Sequence, residues 1–131
     1  MKNTAFITTA LLLFISTDLY AVELMRSGFP FGSVEQNGDV RINGNVRGRF
    51  EPNGDIRSGG VIDGRIELDG TVRKGGRIVG SVDTEGNVRI DGTLKGRVEL
   101  NGDVKEGGIV IGSARGLDKR QAAIIFFFQM L

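Results

Sequence analysis

The residues of this chain best suited to chemistry are regularly spaced acids and bases. A carboxylate recurs every sixteen residues, and a basic side chain follows each one six residues later. The acids are Glu35, Glu51, Glu67, Asp83 and Glu99, and the bases are Arg41, Arg57, Arg73, Arg89 and Lys105. Rows of opposite charge on paired strands neutralise each other when their side chains lie within reach.

A further set of arginines makes an anion-binding patch the second interpretation of these rows. In the strand register developed below, three pairs of bases face each other: Arg49 and Arg57, Arg65 and Arg73, Arg97 and Lys105. Like charges directly opposite each other are unfavourable unless acids or a ligand lie between them. The candidate anion-binding residues are Arg49, Arg57, Arg65, Arg73 and Arg97.

Groups suited to catalysis are scarce. The 131 residues include no cysteine and no histidine, which removes thiol nucleophiles, imidazole bases and ordinary zinc sites. The hydroxyls of the repeats have no histidine to activate them. The acids lie beside arginines, which lower a carboxyl pKa, whereas a glycosidase acid needs a raised one. We predict that the protein is not an enzyme and uses no metal or cofactor.

Glycine turns such as Asn37-Gly38-Asp39 invite comparison with calcium loops and phosphate cradles. Calcium takes six to eight oxygens at one point, and the equivalent turn Asp69-Gly70-Thr71 breaks the acidic pattern. A phosphate loop needs a helix N-terminus or a suitably placed lysine. Ordinary turn chemistry explains these residues as well. The net charge of +1 gives no overall field for nucleic acid.

The charged rows are positioned by a sixteen-residue repeat. Counting Gly32 as position 1, five copies follow without insertion or deletion, and they occupy residues 32–116. Glycine recurs at positions 1, 7 and 13, and an aliphatic residue or phenylalanine at positions 3, 9 and 15. Turn signals this frequent leave room only for very short strands. The repeat therefore predicts an all-β architecture.

The glycines also predict the register. Three-residue loops closed by a left-handed glycine would bring Val34, Val40 and Val46 onto one face, whereas two-residue loops would mix apolar and polar residues. Pro52 fits the first central position of a type I turn. We therefore predict three-residue loops, with positions 3, 9 and 15 in the core. The glycine at position 1 then faces inward and lets another group approach closely.

The C-terminal segment, residues 117–131, is the partner predicted for those inward glycines. Its run from Ala122 to Leu131 has neither alternation nor helical periodicity, so it is buried on every side or lies in lipid. About ten residues cannot span a bilayer as a helix. The Ile-Ile-Phe-Phe-Phe core weakly favours a strand over a helix. We predict a pseudo-five-fold β ring with this segment in its centre, and an open, bactofilin-like β-helix is the alternative.

The N-terminus has the pattern of a secretory signal. Lys2 precedes an apolar run from Ala5 to about Ser16, and a small residue, Ala21, follows a polar stretch. We predict a signal peptide over residues 1–21, cleaved after Ala21, and a periplasmic or secreted protein. Residues 22–31 are interpreted as a lead-in, although Gly28 lies sixteen residues before Gly44 and fits the end of an incomplete copy.

The repeat and the tail together resemble a known family. Copies of G-[SR]-hydrophobic-[ED]-x-[NDE]-G-x-[VI]-[RK]-x-x-G, followed by the Ala-Ala…Phe-Phe-Phe ending, resemble the bacterial five-fold β-flower proteins over residues 27–129. The resemblance implies a small closed five-fold β architecture and an exported bacterial protein. That family has no established activity, so no functional residue is carried over.

Two functions fit these features. The first is a non-enzymatic structural or interaction module of the bacterial cell envelope. The second is a surface module that binds a polyanionic glycan or lipid headgroup through its arginines. A sugar-stacking lectin is disfavoured because the repeats lack aromatic platforms. The partner and the oligomeric state are unknown at this point, and nucleic acid is not expected.

Overall fold

The computed structural model, which describes residues 21–131, is a closed barrel of twelve antiparallel β-strands around a helical C-terminal segment. Each strand pairs with its neighbours along the chain, and β1 pairs with β12 to close the ring. The strands are β1 Val22–Arg26, β2 Phe29–Val34, β3 Asp39–Ile42, β4 Asn45–Phe50, β5 Asp55–Ser58, β6 Val61–Ile66, β7 Thr71–Lys74, β8 Arg77–Val82, β9 Asn87–Ile90, β10 Thr93–Val98, β11 Asp103–Glu106 and β12 Ile109–Ser113. The predicted signal peptide, apart from Ala21, lies outside the described residues.

The closed β ring is confirmed, and it contains six hairpins where the sequence predicted five-fold symmetry. The predicted lead-in, residues 22–31, forms β1 and the first part of β2 and supplies the sixth hairpin. The seam is made by Met25 opposite Ser113 and Arg26 opposite Gly112. This pairing excludes the open β-helix alternative because no strand of the ring is left with a free edge.

Two kinds of turn alternate around the barrel and therefore lie at opposite ends. The three-residue loops predicted at the position-7 glycines are confirmed: in the first, Gly38 has φ +96° and its N–H donates to the carbonyl of Glu35 at 2.9 Å. The same prediction for the position-13 glycines is wrong. Those turns have two residues, both with positive φ, as in Asn43-Gly44, which matches the right-handed twist of the flanking strands.

The end of the barrel that carries the two-residue turns is called the turn end, and the opposite end the loop end. The six two-residue turns are Ser27-Gly28, Asn43-Gly44, Gly59-Gly60, Gly75-Gly76, Asp91-Gly92 and Gly107-Gly108. The five three-residue loops at the loop end are residues 36–38, 52–54, 68–70, 84–86 and 100–102.

The core uses repeat positions 3 and 9 but not position 15. Val34 and Val40 face each other across the ladder and are 3% and 0% exposed, whereas Val46 is 52% exposed. The prediction of a buried position 15 is wrong because a β-bulge at position 16 interrupts the alternation. Val40 pairs with Gly48 and Arg41 with Val46, so Arg47 is the extra residue, and a bulge of this kind turns position 15 outward.

The C-terminal segment fills the centre of the barrel, as predicted, but it is helical. An α-helix, α1, covers Lys119–Ala123 and continues as a π-helical turn over Ile124–Phe128. The carboxylate of Asp118 caps α1 by accepting from the N–H of Arg120 at 2.8 Å. The weak strand preference is overridden because a closed barrel offers no free edge inside, so the segment must satisfy its backbone groups internally.

The position-1 glycines receive the side chains of the C-terminal segment. A Cβ built at Gly80 would lie 2.7 Å from the ring of Phe128, and one built at Gly64 would lie 2.6 Å from the sulfur of Met130. The contacts follow the chain one hairpin at a time: Phe126 at Gly112, Phe127 at Gly96, Phe128 at Gly80, Met130 at Gly64 and Leu131 at Gly48. The inward glycines are therefore recesses that admit the central side chains.

Candidate functional site

The outer face of the barrel carries a belt of ion pairs. Four of the five predicted pairs between position 4 and position 10 form, with nitrogen–oxygen distances from 2.9 to 3.9 Å. The fifth pair does not form, because the carboxylate of Asp83 accepts hydrogen bonds from the N–H groups of Glu85 and Asn87 at 3.0 and 2.9 Å. The pairs are Glu35–Arg41, Glu51–Arg57, Glu67–Arg73 and Glu99–Lys105.

The five candidate anion-binding arginines lie on this belt in the predicted register. Arg49 lies opposite Arg57, and the two other predicted pairs of bases also face each other across the ladder. Each of the five also has a carboxylate partner: Arg49 with Asp39 at 2.8 Å, Arg57 with Glu51 at 3.1 Å, Arg65 with Asp55 at 2.8 Å, Arg73 with Glu67 at 2.9 Å and Arg97 with Glu99 at 3.2 Å. Glu67 and Glu99 each bridge the two bases of one opposed pair, and Arg49 and Arg57 have separate acid partners, so the charge of the opposed bases is compensated.

Two carboxylates of the belt, those of Asp39 and Asp83, are held in their charged form. The hydrogen bond from Arg49 lowers the pKa of Asp39, against an opposing contribution from burial. Burial acts to raise the pKa of Asp83, but hydrogen bonds from Asn87 and Glu85 outweigh it and the pKa is lowered. Such carboxylates remain ionised near neutral pH and serve as ion-pair and hydrogen-bond partners.

The turn end carries a different set of bases, which the sequence analysis did not single out. Arg26, Lys74 and Arg77 flank two-residue turns, and Arg47 and Lys95 lie at the bulges three residues beyond such turns. None of these five bases forms an ion pair with a described residue. Three acids share this end: Asp63, Asp91 and Glu106. The turn end therefore carries a positive excess that the belt does not.

One of these bases closes the turn end over the central segment. The guanidinium carbon of Arg26 lies 4.9 Å from the ring centre of Phe126 and 5.1 Å from that of Phe31. The two rings meet edge to face with centroids 5.7 Å apart. A cation over an aromatic face is favourable, so Arg26 is held at the mouth of the barrel beside the β1–β12 seam.

Exposed apolar side chains surround the same mouth. Of the ten large hydrophobic residues exposed in residues 21–131, eight lie within three residues of a two-residue turn, and each is at least 50% exposed. These eight residues are called the apolar rim: Phe29, Val46, Val61, Ile62, Ile78, Leu94, Ile109 and Val110. The other two, Leu68 and Leu100, lie on loops at the loop end. Position 15 contributes most of the rim because the bulge turns it outward.

The loop end is closed by the start of α1. A groove of about 310 Å³ runs between the loops at residues 68–70 and 82–84 and the start of the helix. Its charged groups are engaged: Arg120 forms an ion pair with Asp118 at 3.0 Å, and the ammonium group of Lys119 donates to the carbonyl of Thr84 at 3.3 Å. The contact with Thr84 joins the helix to the wall of the barrel, and the ion pair lies within the first turn of the helix.

Two further properties of the described residues bear on the kind of site present. No group of three or more acidic side chains within residues 21–131 is placed to hold a metal ion. No helix in this part of the chain is long and apolar enough to cross a bilayer.

Comparison with known proteins gives no relative. No protein-family model, no curated protein and no solved structure matches this chain. The resemblance to the β-flower proteins therefore remains a prediction.

Proposed function

We propose that this protein is a non-enzymatic interaction module of the bacterial cell envelope, and that its contacts are made by the turn end. The observation that carries the proposal is the apolar rim. Large exposed apolar surfaces are uncommon on monomeric soluble proteins, and several large apolar residues exposed at one end of a molecule indicate an interaction site. Single exposed residues such as Leu68 need no such explanation.

The rest of the barrel supports a binding role without catalysis. Its lumen is filled by the C-terminal segment, so the interior is a packed core rather than a ligand cavity. Its belt is internally neutralised, and the pKa values of Asp39 and Asp83 are lowered rather than raised. Catalytic acids of hydrolases need the opposite shift.

Export is part of the proposal. β1 begins at Val22, directly after the predicted cleavage position, so removal of residues 1–21 would leave all twelve strands in place. Membership of the β-flower proteins is also proposed, on the sequence pattern together with the closed β ring. A six-hairpin ring would be a variation on that family's five-fold architecture.

The alternative function uses the belt arginines to bind a polyanionic glycan or a lipid headgroup. Arg49, Arg57, Arg65, Arg73 and Arg97 are available at the surface, but each already has a carboxylate partner. A polyanion would have to displace these acids, so we rank the belt below the turn end. Salt-dependent retention on an anionic column that is lost on removing these arginines would favour the alternative.

The test is fractionation of bacteria that produce the full chain. We expect the protein in the envelope fraction without residues 1–21, and we expect the triple variant Ile62→Thr, Ile78→Thr, Leu94→Thr to move to the soluble fraction with unchanged thermal stability. Threonine keeps the strand preference while removing apolar surface. The matched control Leu68→Thr, Leu100→Thr changes the loop end and should fractionate as the wild type. Wild-type protein in the cytosol, or identical behaviour of the two variants, would contradict the proposal.

A further inference from the structure

We infer that the turn end docks on an anionic lipid surface, an inference that rests on the proposed interaction role of that end and names its partner. The first observation is the shape of the apolar rim. Its residues come from all six hairpins, so they form an annulus around the mouth rather than a groove. Phe29, Ile109 and Val61, next to the turns, are 74%, 69% and 68% exposed. An annulus of exposed apolar side chains is complementary to a planar surface, whereas a peptide or a helix needs a groove.

The second observation is the charge that accompanies the rim. Five bases and three acids lie at this end, and none of the five bases is neutralised by an ion pair with a described residue. A further base, Arg89, stands just behind the rim, because it pairs across the ladder with Leu94 and makes no ion pair with a described residue. Apolar side chains with bases beside and behind them are the composition of a surface that inserts into the boundary of an anionic bilayer.

The same charge disfavours a second copy of this chain as the partner. Two turn ends facing each other about a two-fold axis would bring two surfaces of the same positive excess together, and like charges across an interface are unfavourable. Anionic lipid headgroups reverse the sign of that interaction. The barrel would then stand with its axis along the membrane normal and the apolar rim about 5–10 Å into the headgroup boundary.

The neutralised belt supplies a matched control for charge. Lys74→Gln, Arg77→Gln, Lys95→Gln removes three bases at the turn end that make no ion pair with a described residue, while Arg49→Gln, Arg65→Gln, Arg97→Gln removes three from the belt. Both variants have the same net charge. A difference between them therefore reports where the bases lie rather than how many there are.

The experiment is co-sedimentation of the exported, purified protein with two kinds of vesicle. One kind is phosphatidylcholine, and in the other about a third of the lipid is phosphatidylglycerol. We expect binding to the anionic vesicles only, lost at about 0.5 M salt by screening. The turn-end triple variant should bind about fivefold more weakly for each base removed, and the belt variant within about twofold of the wild type. Ile62→Thr, Ile78→Thr, Leu94→Thr should also weaken binding, whereas Leu68→Thr, Leu100→Thr should not.

Three results would overturn the inference. Absence of binding to anionic vesicles, while the rim still determines envelope association in cells, would leave the proposed function standing and exclude lipid as the partner. An equal loss of vesicle binding in the turn-end and belt variants would show that binding depends on net charge rather than on the turn end. Sedimentation velocity could instead show a concentration-dependent dimer that is lost in the rim variant. That result would show that the rim binds a second copy of the chain. Absence of the protein from the envelope would contradict the proposed function, whatever the vesicles show.

Discussion

The position-1 glycines are the residues on which the packing of the barrel depends most directly. Each lies where a carbonyl group of the neighbouring strand and, in five of the six, a side chain of the C-terminal segment leave no room for a Cβ. At Gly80 these neighbours are the carbonyl of Arg89 and the ring of Phe128. The backbone of Gly80 does not have positive φ, so glycine is required there by space rather than by conformation.

Replacing Gly80 by alanine should therefore be costly. The added methyl group must push back either a strand or the Phe128 ring, and overpacking of this kind costs about 3 kcal/mol of unfolding free energy. Ser81→Ala, the next residue in the same strand, should change the stability by less than about 0.5 kcal/mol. Urea unfolding followed by circular dichroism measures both. A similarly small loss of unfolding free energy in the two variants would show that the recess at Gly80 has room for a methyl group.

Single positions also show where prediction from the sequence succeeded and where it failed. Val34 and Val40 were predicted to be in the core and are, and the inward direction of the position-1 glycines was predicted correctly. Val46 was assigned to the core by its spacing and is exposed. A β-bulge changes the face of every residue beyond it. The bulge position is occupied by Arg47, Asp63 and Lys95, which share no residue type from which the bulge could have been predicted.

Among the elements, the C-terminal segment has the largest part in organising the others. The side chains of Ile124, Ile125, Phe126, Phe128 and Met130 are buried, and each large apolar side chain contributes about 1.5–3 kcal/mol when it leaves water. The sequence identified the segment as core because it is apolar on every side. It could not identify the helix, because Ile and Phe prefer strands by propensity and only enclosure within a closed ring reverses that preference.

Shortening Phe128 to alanine should destabilise the barrel by about 3–5 kcal/mol, because it empties the recess at Gly80 and part of the centre. Leu68→Ala, at a side chain that is 98% exposed, is the control and should change the stability little. Thermal melting of the two variants gives the comparison.

Deletion of residues 122–131 should give insoluble protein or protein without cooperative melting. A soluble truncation that melts sharply would show that the segment is not part of the core.

Over the whole molecule, closure of the ring ties the first strand to the last. The β1–β12 seam joins residues almost ninety positions apart, at Met25 and Ser113. A contact this distant in sequence has a larger loop-closure entropy cost than the pairing within any one hairpin. Closure also removes free strand edges, which are sites of aggregation. The predicted ring was correct in kind and one hairpin short, because Val22–Arg26 lacks the repeat glycines that identified the other copies.

Removal of residues 1–34 should open the ring. Without β1 and β2, the edges of β3 and β12 are unpaired, and we expect aggregation or loss of cooperative melting. Removal of residues 1–21 alone, which leaves every strand, should preserve the melting curve of the exported protein. Circular dichroism and light scattering measure both outcomes. A soluble, sharply melting chain that begins at Glu35 would contradict the role given to the seam.

The candidate site illustrates the limit of the repeat as a guide. The belt and its opposed bases followed from the repeat register, because positions 4 and 10 lie before the bulge. The apolar rim and the turn-end bases lie at positions 11–16, at the bulge or between it and the two-residue turn. The simple alternation does not predict which face these positions occupy, so neither set was singled out. Their proximity arises from closure, which brings the tips of six separate hairpins to one mouth.

The pairing of tail side chains with wall glycines also limits how this chain can evolve by duplication. Five tail residues serve five hairpins in descending order, and the recess of the sixth, at Gly32, is approached by Ile42 from the wall itself. If recombination added a repeat, one glycine recess would have no tail side chain to fill it. If recombination removed a repeat, one tail side chain would have no recess, until substitutions in the C-terminal segment restored the match. The number of large side chains in the C-terminal segment thus constrains the number of hairpins in the barrel.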